Sequence, residues 1–391
     1  MPVKPITSLD LKNKKVLVRC DFNVPILDGK IQDTGRIDAS LDTIRHILQQ
    51  GGSAVMCSHL GRPKERSPEL SLKPVAEYLS TALAQKIVLA PDCIGDHTGK
   101  MVDALGPGEA LLLENLRFHR EEEANDRDFS HELARHKRVY VNDAFGTAHR
   151  AHASTVGVTK FLAERAAGFL MMRELDALGA VTENPERPSI AILGGAKVSD
   201  KIGVIKNLIT KVDPILIGGA MAYTFLKAKG ISIGRSRVED DKIELARELL
   251  ALADSKQVKI LLPSDHIVAA EPEATSSIYT VTDIPSAMMA LDIGPHTVEA
   301  FIAEIARAKT VIWNGPLGFF EIPAFAEGTM KVGEALANQS GVKSIIGGGD
   351  TASAIAHAPW ANKFTHISTG GGATLEYLEG RELPGVKALE V

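Results

Sequence analysis

Two sets of residues in this 391-residue sequence are of types that handle anions, and they fall in different halves of the chain. The first half places Arg36, His59, Arg62, Arg117 and Arg150 in or beside the segments RCDFN, SHLGRP, ENLRF and NDAFGTAHR. Each stands just beyond an expected strand end or at the start of a following helix, joined by the short polar groups of Asp21 and Asn23. Arginine forks bind phosphate and carboxylate oxygens bidentately and stay charged at any working pH. Five such cations on one edge suit a small polyanion, although any one of them would equally suit a solvated surface or half of an ion pair.

The second half repeats glycine pairs or triplets at four strand ends: Gly194-Gly195, Gly218-Gly219, Gly347 to Gly349 and Gly370 to Gly372. Glycine lets backbone approach phosphates closely, and a helix that begins next presents free N–H groups and a positive dipole end. A nucleotide-phosphate cradle follows, with tight βα turns as the alternative for any single pair. Lys197 and Lys201 are four apart, so a helix beginning after GGAK would put both on one face, within reach of phosphate oxygens. Asp350 ends the glycine triplet and has two open readings: a ligand of Mg2+, or the N-cap of a helix over TASAIA.

Several chemistries lack their patterns. Gly347, Gly349 and Ala352 match a loose G-x-G-x-x-A, but STGGG stands where a ribose-binding acid should end the next strand, so a nicotinamide site is rejected. No G-x-x-x-x-G-K-[ST] is present, so the nucleotide site is not of the Walker type. No G-x-S-x-G appears, and no His, Cys and carboxylate cluster has metal-ligand spacing. Cys20, Cys57 and Cys93 are odd in number and widely spaced, which suggests buried apolar residues in a reducing compartment.

The elements that must position these groups read as repeated βα units. Apolar runs recur at 16–19, 53–57, 86–90, 110–114 and 139–142, then at 189–193, 214–218, 259–263, 310–314, 344–348 and 366–369. Near-continuous apolar strands fit parallel sheets covered on both faces. Helical stripes lie between them at Ile37, Leu41, Ile44 and Leu48, at Leu72, Val75, Leu79 and Leu83, and at Val298, Phe301, Ile302 and Ile305. The segment TENPERPS at 182–189 interrupts the pattern after a helical stretch and reads as a domain boundary. The net charge of −5 gives no reason to expect a nucleic acid or an acidic membrane as partner. The start MPVKPITSLD has no signal-peptide core, and the longest uncharged stretch, Pro214 to Leu226, is too short to span a membrane, so a cytoplasmic protein is expected.

Taken in order, KVLVRCDFNVP, SHLGRP, ENLRF, VNDAFGTAHRAHAST, LGGAKVSDKI, NGPLGFFE, IIGGGDT and STGGGATLEYLEG resemble the phosphoglycerate kinase family over nearly the whole chain. The resemblance implies an α/β protein of two domains, each a parallel β-sheet flanked by helices in a Rossmann-like manner, joined by a hinge. Residues 1–170 would bind phosphoglycerate, 171–188 would form the interdomain helix and hinge, 189–372 would bind nucleotide, and 373–391 would return to the N-terminal domain. It implies phosphoglycerate contacts from Asp21, Asn23, Arg36, His59, Leu60, Gly61, Arg62, Arg117 and Arg150. It implies nucleotide contacts from Lys197, Lys201, Gly218, Gly219, Asn314, Pro316, Glu321, Gly347, Gly348, Gly349, Asp350 and Thr351, with Asp350 on Mg2+ and Glu321 at the ribose. Gly371 and Gly372 would aim a helix start at the phosphoryl in transit. Two local departures from the family pattern are Ala220, where many relatives have a third glycine, and Lys137-Arg138, where an acid is more usual.

The reaction so implied exchanges a phosphoryl group between 1,3-bisphosphoglycerate and Mg-ADP in glycolysis, in a cytoplasmic monomer. The leaving group is a carboxylate with a reference pKa of about 4, so no general base is required. The protein's task is to hold the reactants in line and stabilise charge, with Arg36 from one domain and Lys197 and Lys201 from the other. Two other readings remain at this stage: a binding protein that keeps both pockets without turnover, and an α/β oxidoreductase or another phosphotransferase.

Overall fold

The computed structural model describes residues 3–273 and 275–390, so the expected outer boundaries at 1 and 391 lie outside the described residues. The chain divides into two compact units. One runs up to Leu175 and takes in the residues from Glu382 on; the other is Asp176–Arg381. The helix Phe169–Thr182 carries the division within it, inside the stretch expected to contain a hinge. Among the described residues no helix is long and apolar enough to cross a membrane.

The first unit is built on a six-stranded parallel sheet. The strand Lys15–Arg19 pairs in parallel with Ser53–Cys57 on one side and Val139–Asn142 on the other. Ala110–Leu112 and Val88–Leu89 extend one edge, and Glu164–Ala167 closes the other. Val16, Val18, Ala54, Met56, Leu112, Val139 and Val141 are buried because helices cover the sheet. Ile37, Leu41 and Ile44 of the helix Gly35–Gln49 and Val75 and Leu79 of Lys73–Ala82 form that cover, at the three-to-four spacing read from the sequence. Leu72 and Leu83 flank the second helix as its cap positions rather than lying within it.

The second unit repeats the plan with a parallel sheet of six strands, among them Pro214–Ile217, Ser189–Leu193, Thr310–Asn314 and Lys343–Gly347 in neighbouring order. Its core joins Ile190, Ile192, Val311, Trp313 and Ile346 to Phe301 and Ile305 of Pro295–Ile305 and to Val332 and Leu336 of Glu327–Asn338. A three-stranded antiparallel sheet, His266–Ala269 between Tyr279–Val281 and Met289–Ile293, is additional to the sequence reading.

The last residues return to the first unit from Glu382 on, later than the expected 373, because the helix Gly372–Leu378 is tied to the second unit. There Asn207 Nδ2 donates to the Leu378 carbonyl at 2.7 Å. Within the first unit, Gly385 N–H donates to the Ala148 carbonyl at 2.8 Å, Arg165 donates to the Glu390 carbonyl at 2.9 Å, and Leu389 is fully buried. Leu389→Ala removes a buried leucine from that return and should lower the stability of the first unit by roughly 2–5 kcal/mol. Both tryptophans, Trp313 and Trp360, belong to the second unit, so urea unfolding followed by far-UV dichroism is the measurement. An unchanged midpoint would show that the return contributes nothing.

Candidate functional site

In the first unit the polar groups at the carboxyl ends of the strands form one linked network. Arg36, in the first turn of Gly35–Gln49, donates to Asp21 Oδ2 at 3.3 Å and to the Asn23 carbonyl at 3.1 Å. Asn23 Oδ1 accepts from Gly61 N–H at 2.9 Å, and Arg117 donates to the Gly61 carbonyl at 2.7 Å. Asn115 fixes the same loop: its Oδ1 accepts from Leu60 and Arg117 N–H, and its Nδ2 donates to the Leu60 and Leu70 carbonyls. Glu114 accepts from Leu72 N–H at 2.9 Å and from Ser71 Oγ at 2.7 Å, so it serves the start of the next helix.

Beneath this network lies Arg19, which is buried. It donates to Ser154 Oγ at 2.8 Å, to the Cys20 carbonyl and to His59 Nδ1, and Ser154 in turn donates to the fully buried Glu122. Because a guanidinium only donates, His59 Nδ1 must accept, which places the ring proton on Nε2. Burial and then the arginines Arg19, Arg117 and Arg36 push the His59 pKa well below its ordinary value. His152 is lowered to about 4 by burial and by Arg19 and Arg117, and Arg150 acts on it too, so Arg150 joins the same positive region. Arg150 Nε donates to His149 Nε2 at 3.1 Å, whereas exposed Arg62 makes no hydrogen bond or ion pair with the described residues. The structure thus brings Asp21, Asn23, Arg36, His59, Gly61, Arg117 and Arg150 together and leaves Arg62 reaching outward from the same loop.

In the second unit a cavity of about 370 Å³ is lined by Gly195, Ala196, Gly219, Ala220, Pro316, Glu321 and Asp350, among others. The glycine turns pack backbone against backbone: Gly195 N–H donates to the Pro316 carbonyl, and Gly219 N–H to the Leu317 carbonyl. A Cβ on Gly194 would collide with the Pro316 carbonyl oxygen, so a side chain is excluded there. Ala220 has ordinary helical dihedrals at the head of Met221–Ala228, which is why it tolerates a Cβ. Asn314 ends its strand with Oδ1 accepting from the Lys201 ammonium, while its buried Nδ2 has no hydrogen-bond partner among the described residues and faces the Gly347-Gly348 turn. Thr351 Oγ accepts from Gly315 N–H and donates to the Gly347 carbonyl, so it is occupied in holding two turns together.

One sequence expectation is corrected and one open reading is narrowed. Lys197 and Lys201 do not share a helical face, because the helix begins at Ile202 with Lys201 as its cap residue. Ser199 N–H and Oγ are held by the Glu239 carboxylate, which fixes the intervening residues as a turn. Lys197 is exposed, and Lys201 is buried. Asp350 is not an N-cap: Gly348 takes that position, and Asp350 is an exposed residue of the first turn facing the cavity. Without any metal-ligand spacing in the sequence, the fold brings ligand atoms of Asp92, Cys93 and His119 within 4.8 Å of one another. Asp92 and His119 are 27 residues apart, and Asp92 already pairs with His119 at 2.7 Å and with Arg66 at 3.3 Å.

The family model for phosphoglycerate kinase matches residues 6–381. The chain belongs to the phosphoglycerate kinase family. Phosphoglycerate kinase of Anaeromyxobacter dehalogenans is 53% identical over 396 residues, covering 100% of both chains, and that of Koribacter versatilis is 53% identical over 395, covering 98% of both. Among solved structures, phosphoglycerate kinase from Coxiella burnetii superposes with a TM-score of 0.92 at 40% identity, covering 99% of both chains. The Pyrococcus horikoshii phosphoglycerate kinase gives 0.82 at 32%, covering 99% of this chain and 98% of its own.

Sequence reading missed several residues of this phosphoglycerate kinase family member. Arg19 shows in the sequence only as a charged residue closing an apolar run, Asn115 and Ser154 lie unmarked within ENLRF and VNDAFGTAHRAHAST, and Glu122 carries no signal. Lys201 also carries an electrostatic signature that spacing could not reveal. Burial lowers its pKa to about 8, against the opposing pull of Asp200 and Asp350. A lysine depressed in the folded state binds fewer protons than the unfolded chain between pH 8 and its ordinary value. Its penalty is therefore full below pH 8 and relieved as pH rises through that window. Lys201→Met should be more stable than the wild type at pH 7, with the advantage shrinking toward pH 10. Denaturation midpoints at both pH values measure this, and an advantage that does not change with pH would contradict it.

Proposed function

We propose that the chain performs its family's reaction, reversible phosphoryl transfer from 1,3-bisphosphoglycerate to Mg-ADP giving 3-phosphoglycerate and Mg-ATP, as a cytoplasmic monomer. The observation that carries this reading is the division of labour between the units. A cationic cluster of strand-end arginines stands in one, and in the other glycine turns meet a buried ammonium and an unpartnered amide. Asp21, Asn23, Arg36, His59, Leu60, Gly61, Arg62, Arg117 and Arg150 contact the phosphoglycerate, Leu60 and Gly61 from the loop that also carries His59 and Arg62. Lys197, Lys201, Gly218, Gly219, Asn314, Pro316, Glu321 and the 347–351 turn contact the nucleotide.

Asp350 fits the metal that accompanies such a nucleotide, because it is an exposed carboxylate with no cap bond in the first helical turn of the cavity wall. Mg2+ bound there would neutralise phosphate charge. The protein's own contribution is positional and electrostatic. Arg36, Lys197, Lys201 and the backbone N–H groups at Gly371-Gly372 surround the phosphoryl oxygens with positive charge as transfer proceeds. The acyl leaving group departs as a carboxylate, so neither His59 nor Lys201 need exchange a proton. Transfer is direct and in line. It requires reacting atoms roughly 3–3.5 Å apart, and hinge bending within 171–188 is the motion we assign to it. Its measure is a radius of gyration that falls further with both ligands bound than with either alone.

A coupled assay should show ATP formation from 1,3-bisphosphoglycerate and Mg-ADP, and a folded, ligand-binding protein without turnover would overturn the reading. Asp350→Asn keeps the size and the helix but removes the charge. Calorimetric titration should show Mg-ADP binding weakened by about tenfold or more, and unchanged affinity would remove Asp350 from the metal site.

A further inference from the structure

The nucleotide cavity has two chemically different ends, and the proposed phosphate and metal contacts use only one of them. Asp350 and Pro316 mark that end, where Gly315 N–H donates to Thr351 Oγ. The other is walled by Pro272, Met289, Leu291 and Phe319, apolar surfaces suited to a flat heteroaromatic ring. Phe319 N–H donates to the Leu291 carbonyl at 2.7 Å, so these walls are joined through backbone.

Arg237 also lines the cavity, and its position follows from its neighbours. Arg235 N–H donates to the Met288 carbonyl at 2.7 Å, and Ser236 Oγ accepts from Ala290 N–H at 2.9 Å. Those two bonds lay residues 235–236 beside 288–290, at the start of the strand Met289–Ile293, so that Arg237 follows directly after a segment held against the strand that supplies Met289 and Leu291 to the cavity wall. Arg237 is exposed and makes no hydrogen bond or ion pair with the described residues. The other polar side chains nearby are engaged: Tyr223 Oη pairs with His266 Nδ1 at 3.3 Å, and Asp292 accepts from Gly328 N–H at 2.7 Å and Ile293 N–H at 2.9 Å. Apolar walls hold a base without reading it, so Arg237 is the side chain there with donors to spare.

A guanidinium offers donors only. Guanine and hypoxanthine present two acceptors side by side, N7 and O6, which an arginine fork matches bidentately. Adenine presents N7 beside an amino group, so one of the two bonds is replaced by two donors facing each other. We propose that Arg237 reads this edge of the base and biases the nucleotide site toward 6-oxopurine diphosphates, which it binds at least as well as ADP. This rests on the assignment of the cavity to a nucleotide, and it deepens that assignment by naming the base class.

The test is calorimetric titration of Mg-ADP, Mg-GDP and Mg-IDP into the wild type and Arg237→Met, whose side chain keeps an unbranched stem without the fork. In the wild type, GDP and IDP should bind no more weakly than ADP. In the variant, the preference for GDP and IDP relative to ADP should fall by on the order of tenfold. Equal weakening of all three nucleotides would place the guanidinium on the phosphates, and unchanged affinities would leave it in solvent; either result overturns the proposal. IDP that fails to follow GDP also overturns it, because the 2-amino group would then be what is read. Binding is measured without turnover, so a base preference in a protein that forms no ATP would sink the transferase reading and leave this one standing.

Discussion

The first unit's site depends on a buried charge interaction, the line from Arg19 through Ser154 to Glu122. Bringing several cations to one sheet edge raises their mutual repulsion, and a buried guanidinium without a counter-charge is costly. Glu122, wholly buried, supplies the counter-charge, although burial itself pulls its pKa up against the stabilising effect of Arg19 and the Ser154 hydrogen bonds. With that line in place Arg19 can fix both the Cys20 carbonyl and the His59 ring. The strand end carrying Asp21 and the loop carrying Gly61 are thereby anchored to one residue. Removing one partner would leave the other charged and buried, the situation in which such pairs matter most.

The second unit solves its problem with backbone instead of charge. Gly194, Gly219 and Gly315 are placed where a Cβ would strike the neighbouring turn, so three strand ends approach closely enough to bond one another through backbone and to set Gly195, Gly219 and Pro316 in the cavity wall. Lys201 is the buried cation of this unit's site, and it is held against Asn314 at a depressed pKa. The Asn314 amide nitrogen beside this buried ammonium is one of several buried polar atoms without a hydrogen-bond partner among the described residues, Ser40 Oγ and Ser189 Oγ being others, and such violations gather at functional sites.

The parts of this molecule visible in the sequence are those whose physics is local. Ser53–Cys57, Val139–Asn142, Ser189–Leu193 and Thr310–Asn314 fall where the apolar runs predict, because a strand buried on both faces must be apolar throughout. Glu164–Ala167 and Tyr279–Val281 escape the same reading, since short edge strands with exposed residues leave no such run. The candidate arginines were legible by type and position, yet their convergence was not. It is produced by bonds such as Arg117 to Gly61, between residues 56 apart. Lys197 and Lys201 show the converse error: helical spacing is a poor guide where a distant carboxylate, that of Glu239, holds the backbone in a turn.

The titration behaviour of the two sites follows from the chemistry asked of them. A reaction whose leaving group needs no proton gains nothing from a histidine that titrates near neutrality, and it loses if the charge at its anion site changes with pH. His59 and His152 stand among Arg19, Arg117 and Arg36 or Arg150, and burial together with those neighbours holds both rings neutral, His152 down to about 4. The arginines themselves cannot be discharged in the working range. The positive charge of the first site is therefore constant across neutral pH, and the imidazoles act there as fixed hydrogen-bonding groups instead of as bases. Lys201, lowered to about 8, and Asp292 in the cavity wall, raised by burial to about 7, are groups of the second site whose charge is open to adjustment, and an arriving polyphosphate would raise Lys201 again. Ligand binding thus completes the electrostatics of the second site, while those of the first are already complete in the folded chain.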